Sequence, residues 1–202
     1  MENNIDLNKE ITFETFKKQV LEDYRIIVTS REASLLGRRE VLSGKAKFGI
    51  FGDGKELPQI ALAKVFQNGD FRSGYYRDQT FMMAIDELSV KQLFSGLYAN
   101  TDINEEPMSA GRQMGAHFNT PLLNTDGSWK KLINLKNSSS DVSCTGSQMP
   151  RLLGLAQASK LYRNLDFKNS KNFSINGNEI AWGTIGNAST SEGIFFEVLN
   201  AA

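Results

Sequence analysis

Gly186-Asn187-Ala188-Ser189-Thr190-Ser191-Glu192-Gly193 is the stretch around which this chain is organised. An apolar run, Ile180 to Ile185, leads into it, and a strongly apolar segment, Ile194 to Ala202, leads out. That succession predicts a buried strand, a tight glycine turn and the first turns of a helix. Such a turn aims backbone N–H groups and the positive end of the helix dipole at whatever sits before it, and phosphate is the usual guest. Ser189 and Glu192 have the spacing of a capping box, which predicts the helix start independently. Asn187 sits where a side-chain carbonyl could reach a hard cation such as Mg²⁺ held by that phosphate. The same octapeptide also suits a well-capped strand–helix connection with no ligand.

The chain has 202 residues, enough for one sizeable core or for part of a larger domain. With 23 basic and 23 acidic residues its formal charge is zero, so the balance gives no sign of a nucleic-acid or anionic-membrane partner. A single cysteine, Cys144, excludes an internal disulfide and fits a reducing compartment. Met1 to Glu10 is polar, without an apolar signal core, and no run approaches a membrane span; the expectation is a cytoplasmic protein. Ile194, Phe195, Phe196, Val198 and Leu199 cover most of the last helix, which predicts burial on several sides. That helix ends at Asn200-Ala201-Ala202 with no glycine cap and no polar tail, so the chain reads as a C-terminally truncated fragment.

Working outward, Thr12 to Ser43 is expected to be mostly helical, capped by Thr12, with Phe13, Phe16, Val20, Leu21 and Tyr24 at roughly helical spacing. Arg25, Arg31, Arg38 and Arg39 read as its solvated face. Phe51-Gly52-Asp53-Gly54 is a turn before a helix over Ile60 to Phe66, with Pro58 suited to the first turn. In Tyr75-Tyr76-Arg77-Asp78, the arginine fork and tyrosine hydroxyls suit phosphate oxygens; the other reading is a half-buried tyrosine pair with Arg77 paired to Asp78. Ser89 to Tyr98 is an amphipathic helix, and Asp102 to Pro121 a loop region containing His117, the only histidine. With one histidine, one cysteine and no Gly-x-Ser-x-Gly elbow, covalent hydrolysis and a zinc site are both poorly supported. A lone histidine is most often a hydrogen-bonded structural residue.

Lys130 to Lys136 is expected as a short strand, followed by the polar run Asn137 to Asp141. Val142 to Pro150 opens a helix from Arg151 to Arg163, where Ser147 and Gln148 could hold a monovalent cation or cap the helix. Asp166 to Asn178 reads as a polar hairpin or excursion. Glycine turns, apolar strands and intervening helices together argue α/β with a mostly parallel sheet.

Four ordered segments then carry a resemblance: Tyr76-Arg77-Asp78-Gln79, Gly111-Arg112-Gln113-Met114 followed by His117-Phe118, the Ser143 to Pro150 helix entry, and Gly186 to Gly193. The chain resembles the thiamine-diphosphate-binding α subunit, or N-terminal half of fused forms, of 2-oxo acid dehydrogenases of the branched-chain or pyruvate type. The resemblance implies a thiamin-diphosphate-binding fold, α/β with a mostly parallel sheet flanked by helices, incomplete at the C-terminus. Residues 1–12 would be a flexible lead and 13–202 the truncated diphosphate-binding domain. It implies that Tyr76 and Arg77 grip the cofactor diphosphate, that backbone amides of Gly186 to Ser189, Ala188 among them, approach it, and that the Thr145 main chain meets the aminopyrimidine. Asn187 stands where the family has an acidic Mg²⁺ ligand, a departure that removes a charge. Cys144 (through its carbonyl), Ser147 and Gln148 match a potassium site of some members, and His117 would lie on the substrate side. Asp53-Gly54 falls in a different turn of the family and is not the metal motif.

The implied activity is oxidative decarboxylation of a 2-oxo acid and acylation of a lipoyl carrier, in a multienzyme complex. The implied partners are a β subunit or C-terminal half, which brings the activating glutamate, a lipoyl-bearing acyltransferase and a second copy of the chain. On this reading the fragment alone is inactive, with no catalytic residue of its own. An acetoin-type thiamine enzyme and a non-catalytic scaffold that only associates with partner subunits are the alternatives.

Overall fold

The computed structural model describes residues 11–165 and 170–202. Of the expected lead, residues 1–12, Met1 to Glu10 lie outside the described residues, as does the Asp166 to Asn169 portion of the expected excursion. Three short strands, β1 (Phe71–Ser73), β2 (Asn137–Ser138) and β3 (Ala181–Gly183), form an all-parallel sheet in the order β2-β1-β3. Phe71 stands opposite both Asn137 and Ala181, so β1 is central. Parallel neighbours need crossovers, and helices fill them. Helices α3 (Gln79–Ala84) and α4 (Val90–Leu97) lie between β1 and β2, and α5 (Gln148–Asn164) lies between β2 and β3. Helix α1 (Phe13–Leu42) and helix α2 (Glu56–Val65) precede the sheet, and α6 (Gly193–Ala201) follows it. The parallel mixed architecture expected of the fold is what is seen.

Helix α1 starts as read, with the Thr12 hydroxyl accepting from the Thr15 amide at 3.3 Å. Its packing face differs from the expected one. Phe13 and Tyr24 are 73% and 64% exposed, whereas Ser30, Ala33, Ser34 and Gly37 are buried. Small side chains let α3 approach closely: the Ser30 and Thr80 hydroxyls meet at 2.7 Å, and the Gln79 amide donates to the Ser30 carbonyl at 2.9 Å. A core of Phe66, Phe81, Met82, Ile85, Leu88, Leu93 and Phe118 fills the space between α2, α3, α4 and the sheet. Phe66 meets Phe81 edge-on, ring centroids 5.2 Å apart, a favoured aromatic geometry.

Several other expectations need correction. The strand placed at Lys130 to Lys136 is a 3₁₀ turn at Leu132–Asn134, and the strand is the polar pair that follows. Asn137 survives there because its amide donates to the Leu132 and Leu135 carbonyls, both at 2.9 Å. Strand β3, expected to be buried, is a half-exposed edge strand. On α6 only Val198 is buried, and Phe196 remains 59% exposed. Nor is the arginine face of α1 simply solvated. Arg31 grips Glu56 through two bonds of 2.6 and 2.8 Å, and Arg38 meets Asp53 at 2.6 Å, so α1 is clamped to the start of α2.

The Glu56 side chain is 6% exposed while Arg31 is 45% exposed. The Arg31 hydrogen bond is the main cause lowering the Glu56 pKa from 4.5 to about 2, with the Gly54 amide assisting. A carboxylate with a depressed pKa stabilises the fold above its unfolded pKa and loses that contribution as pH falls through the folded one. Allowing for the half-exposed guanidinium, Glu56→Gln should cost ~1–2 kcal/mol at pH 7. Urea titrations should show the gap between wild type and variant closing as pH is lowered from 4.5 toward 2.

Candidate functional site

All three strands end on the same edge of the sheet, so the loops leaving Ser73, Ser138 and Gly183 converge there. That edge is where open parallel sheets bind ligands. Its foundation is Arg72 on the central strand, 1% exposed. Nε donates to Asp78 at 2.8 Å, Nη1 to the Ser138 hydroxyl at 2.6 Å, and Nη2 to the Tyr75 carbonyl at 3.0 Å and to Asp141 at 3.1 Å. Asp141 also accepts from the Phe118 amide at 3.0 Å, and Asp78 accepts a short bond from the Thr184 hydroxyl. Burial pushes the Asp141 carboxyl up and the Arg72 guanidinium pulls it back. One Asp141 oxygen accepts from both Arg72 and Phe118, while the other lies 3.0 Å from Arg72 Nη1 without a hydrogen bond, and burial is the larger effect, so the carboxyl titrates above its ordinary value.

Above this base lies the turn Tyr75-Tyr76-Arg77. The rings of Tyr75 and Tyr76 are 5.2 Å apart, and Tyr76 in turn stacks on His117 at 6.3 Å and 27°. The alternative of an Arg77–Asp78 ion pair does not hold, because Asp78 is taken by Arg72. Arg77 instead places its guanidinium 5.7 Å from the Tyr76 ring centroid and forms no ion pair among the described residues. The Arg77 carbonyl accepts from the Gln59 amide at 2.8 Å. His117 is buried, with Nε2 2.7 Å from the Ser143 hydroxyl.

The turn after β3 joins the same edge. Thr184 ties it to Asp78 through its hydroxyl and to α5 through its carbonyl, which accepts from the Gln148 amide at 3.0 Å. The Tyr75 ring lies close to Gly186: a Cβ built there would stand 3.6 Å from it, with no nearer obstruction. The capping box expected of Ser189 and Glu192 does not form. Ala188–Ser191 is a 3₁₀ turn, and α6 begins only at Gly193 with no side-chain cap. The helix axis therefore starts beyond the turn; the Ser189 amide, expected to face a ligand, donates to the Gly186 carbonyl at 3.0 Å, and the N–H groups of Gly186, Asn187 and Ala188 find no acceptor among the described residues. Asn187 itself is exposed.

Thr145 is exposed beside α6, because Gly146, at φ +78°, faces Ile194, where a Cβ would come within 2.8 Å. Cys144 is exposed and its carbonyl accepts from the Ser147 amide at 3.1 Å; Ser147 is the N-cap of α5 without a side-chain cap bond. Tyr76, Arg77, His117 and the Gly186 to Ser189 turn are thus linked through contacts, with Thr145 and the Cys144 to Gln148 segment on the flank. Among the described residues no three His, Cys, Asp or Glu side chains gather as a metal site. The donors fit a diphosphate: open amides, an unpaired guanidinium and two phenols. For Mg²⁺ the turn offers the Asn187 amide oxygen, so phosphate oxygens would have to complete the shell.

Sequence reasoning missed Arg72, Asp141, Ser138 and Thr184, which hold these groups in place. The one usable signal was an arginine inside an otherwise strand-like triplet, Phe71-Arg72-Ser73, which demands a buried counter-charge if the triplet is a central strand.

A parallel sheet flanked by helices, with an arginine–tyrosine pair and an open glycine turn at its carboxyl edge, defines an α/β protein whose open donors suit a phosphate-bearing ligand. The family model described as dehydrogenase E1 component matches residues 25–202, and the chain belongs to that family, the thiamine-diphosphate-dependent components of 2-oxo acid dehydrogenases. No curated protein matches it. No helix among the described residues is long and apolar enough to cross a membrane.

Gly74 touches the buried base directly, and a Cβ there would collide with the Arg72 guanidinium and the Asp78 carboxylate. Gly74→Ala should therefore split a buried ion pair and cost ~3–5 kcal/mol, read as a lowered denaturant midpoint with an unchanged slope.

Proposed function

We propose that this chain is the cofactor-binding part of a 2-oxo acid dehydrogenase acting on a branched-chain 2-oxo acid of the 2-oxoisovalerate type, or on pyruvate, and acylating a lipoyl carrier. The observation that carries this reading is the meeting of the Tyr75 ring with Gly186, which puts the Tyr76-Arg77 turn against the open turn after β3. Arg77 and Tyr76 would hold the diphosphate from one side. The open amides of Gly186, Asn187 and Ala188 would hold it from the other, whereas the Ser189 amide is spent on the Gly186 carbonyl at 3.0 Å. Asn187 would give an oxygen to Mg²⁺, and the Thr145 main chain would orient the aminopyrimidine. Cys144 O, Ser147 and Gln148 would share a potassium ion at the start of α5. His117, already aligned by Ser143, would face the substrate.

When bound, thiamine diphosphate supplies a carbon nucleophile and an electron sink for the departing CO₂. The chain's own contribution is to bind and orient: a charged grip at one end, and a buried imidazole held at a fixed angle near the other. The activating glutamate would come from a β subunit or a C-terminal half, and the acyl group would leave to a lipoyl-bearing acyltransferase.

Calorimetry on the full-length protein with thiamine diphosphate and saturating Mg²⁺ tests the reading. Arg77→Ala should weaken binding by roughly tenfold or more, as expected for loss of a charge-assisted phosphate contact. Absence of any binding heat for wild type would favour a scaffold that carries no cofactor. Asn187→Asp should lower the Mg²⁺ concentration for half-maximal binding by roughly tenfold, because it restores a full charge beside the ion. Turnover of 2-oxoisovalerate, pyruvate and acetoin with the partner subunit present would then assign the substrate, and none on any of them would sink the enzymatic assignment.

A further inference from the structure

The geometry points to Arg72 as the positioning residue of the cofactor site, an inference that rests on the functional reading above. Three of the segments proposed to face the cofactor or substrate, the Tyr76-Arg77 turn, His117 and the turn after β3, connect to an Arg72 partner along the chain or through one further hydrogen bond. Nη2 holds the Tyr75 carbonyl, adjacent to Tyr76. Asp141, held by Nη1 and Nη2, accepts from the Phe118 amide, adjacent to His117. Asp78, held by Nε, adjoins Arg77 and accepts from Thr184, two residues before Gly186. The Tyr76–His117 stack is therefore pinned at both ends by one guanidinium. Nothing in this set touches the cofactor itself, since Arg72, Asp78, Ser138 and Asp141 are all buried beneath the loops. A planar fork with five N–H donors serves Asp78, Ser138, Asp141 and the Tyr75 carbonyl together, four acceptors where a lysine ammonium has three donors on a single nitrogen.

Two readouts on the full-length protein test this. One is thiamine diphosphate affinity by calorimetry at saturating Mg²⁺. The other is the His117 ring signal under histidine-selective ¹⁵N labelling, assigned by its absence in His117→Gln. Arg72→Lys is expected to weaken the cofactor by at least tenfold and to move the His117 signal as its 2.7 Å bond to Ser143 loosens. A variant that melts lower, yet binds within twofold of wild type and leaves that signal in place, would overturn the inference and leave Arg72 a stabilising ion pair only. If Arg72→Lys does not fold, Ser138→Ala removes the 2.6 Å acceptor of Nη1, together with a 3.1 Å bond to the neighbouring Ser139 carbonyl, and is expected to give about a threefold loss and a smaller shift in the same direction. Unchanged values for both readouts would again overturn it. The ring signal needs no cofactor. A wild type that binds none would defeat the functional reading while the signal still decides the role of Arg72.

Discussion

The structure depends on how one charge is kept inside it. Moving a guanidinium out of water costs several kcal/mol even after relaxation, and the cost is met only where the fork is filled. Arg72 fills it with two carboxylates, a hydroxyl and a carbonyl. Two carboxyl groups meet one guanidinium, and their remaining acceptor capacity takes further donors: the Thr184 hydroxyl on Asp78 and the Phe118 amide on Asp141. Each of these bonds ties another chain segment to the same point. The ion cluster thus does what a three-stranded sheet of two- and three-residue strands does too weakly by itself, which is to fix the relative positions of the loops at its carboxyl edge.

The same edge is braced from the helical side. Helix α3 begins directly after Asp78, and its first residue, Gln79, donates to the Ser30 carbonyl deep against α1. That contact needs the small side chains of Ser30 and Ser34, because larger ones would hold α3 away; Gly37, further along, makes room for the Phe51 ring. From α2, the Gln59 amide donates to the Arg77 carbonyl while its oxygen accepts from the Phe81 amide. The turn that carries Tyr76 and Arg77 is therefore held by backbone contacts on both sides, and its side chains are free to point outward. The Arg31–Glu56 and Arg38–Asp53 pairs secure α1 to the start of α2, and so belong to the same bracing.

Much of this was legible in the residues and some of it was not, for identifiable reasons. Thr12 and Ser89 mark helix starts by local chemistry, and the helices begin there. Glycine-bearing turns beside apolar runs mark the two loops that meet at the sheet edge, because backbone openness is written in local composition. The packing face of α1 was not legible: Phe13, Phe16 and Tyr24 outweigh serines on any hydrophobicity scale, and only tertiary contact shows that the close approach is to the serines. Strand β2 was missed because Asn137 and Ser138 are paired through side-chain bonds rather than apolar burial. The capping box at Ser189 and Glu192 failed because a 3₁₀ turn occupies its place.

Arg72 and Arg77 bring the two levels together. They are the same residue type five positions apart, and neither composition nor spacing separates them. Arg72 lies on an inward-facing strand position and has every nitrogen engaged, so it is chemically closed to a ligand. Arg77 lies on the turn, is braced only through its carbonyl, and stacks its guanidinium on Tyr76 without a counter-charge. A stacked, unpaired guanidinium is pre-oriented at little entropic cost and retains its donors, which is the condition for gripping an anion. The satisfied arginine explains the availability of the unsatisfied one: by taking Asp78, Arg72 removes the only carboxylate adjacent to Arg77 in sequence that could have neutralised it.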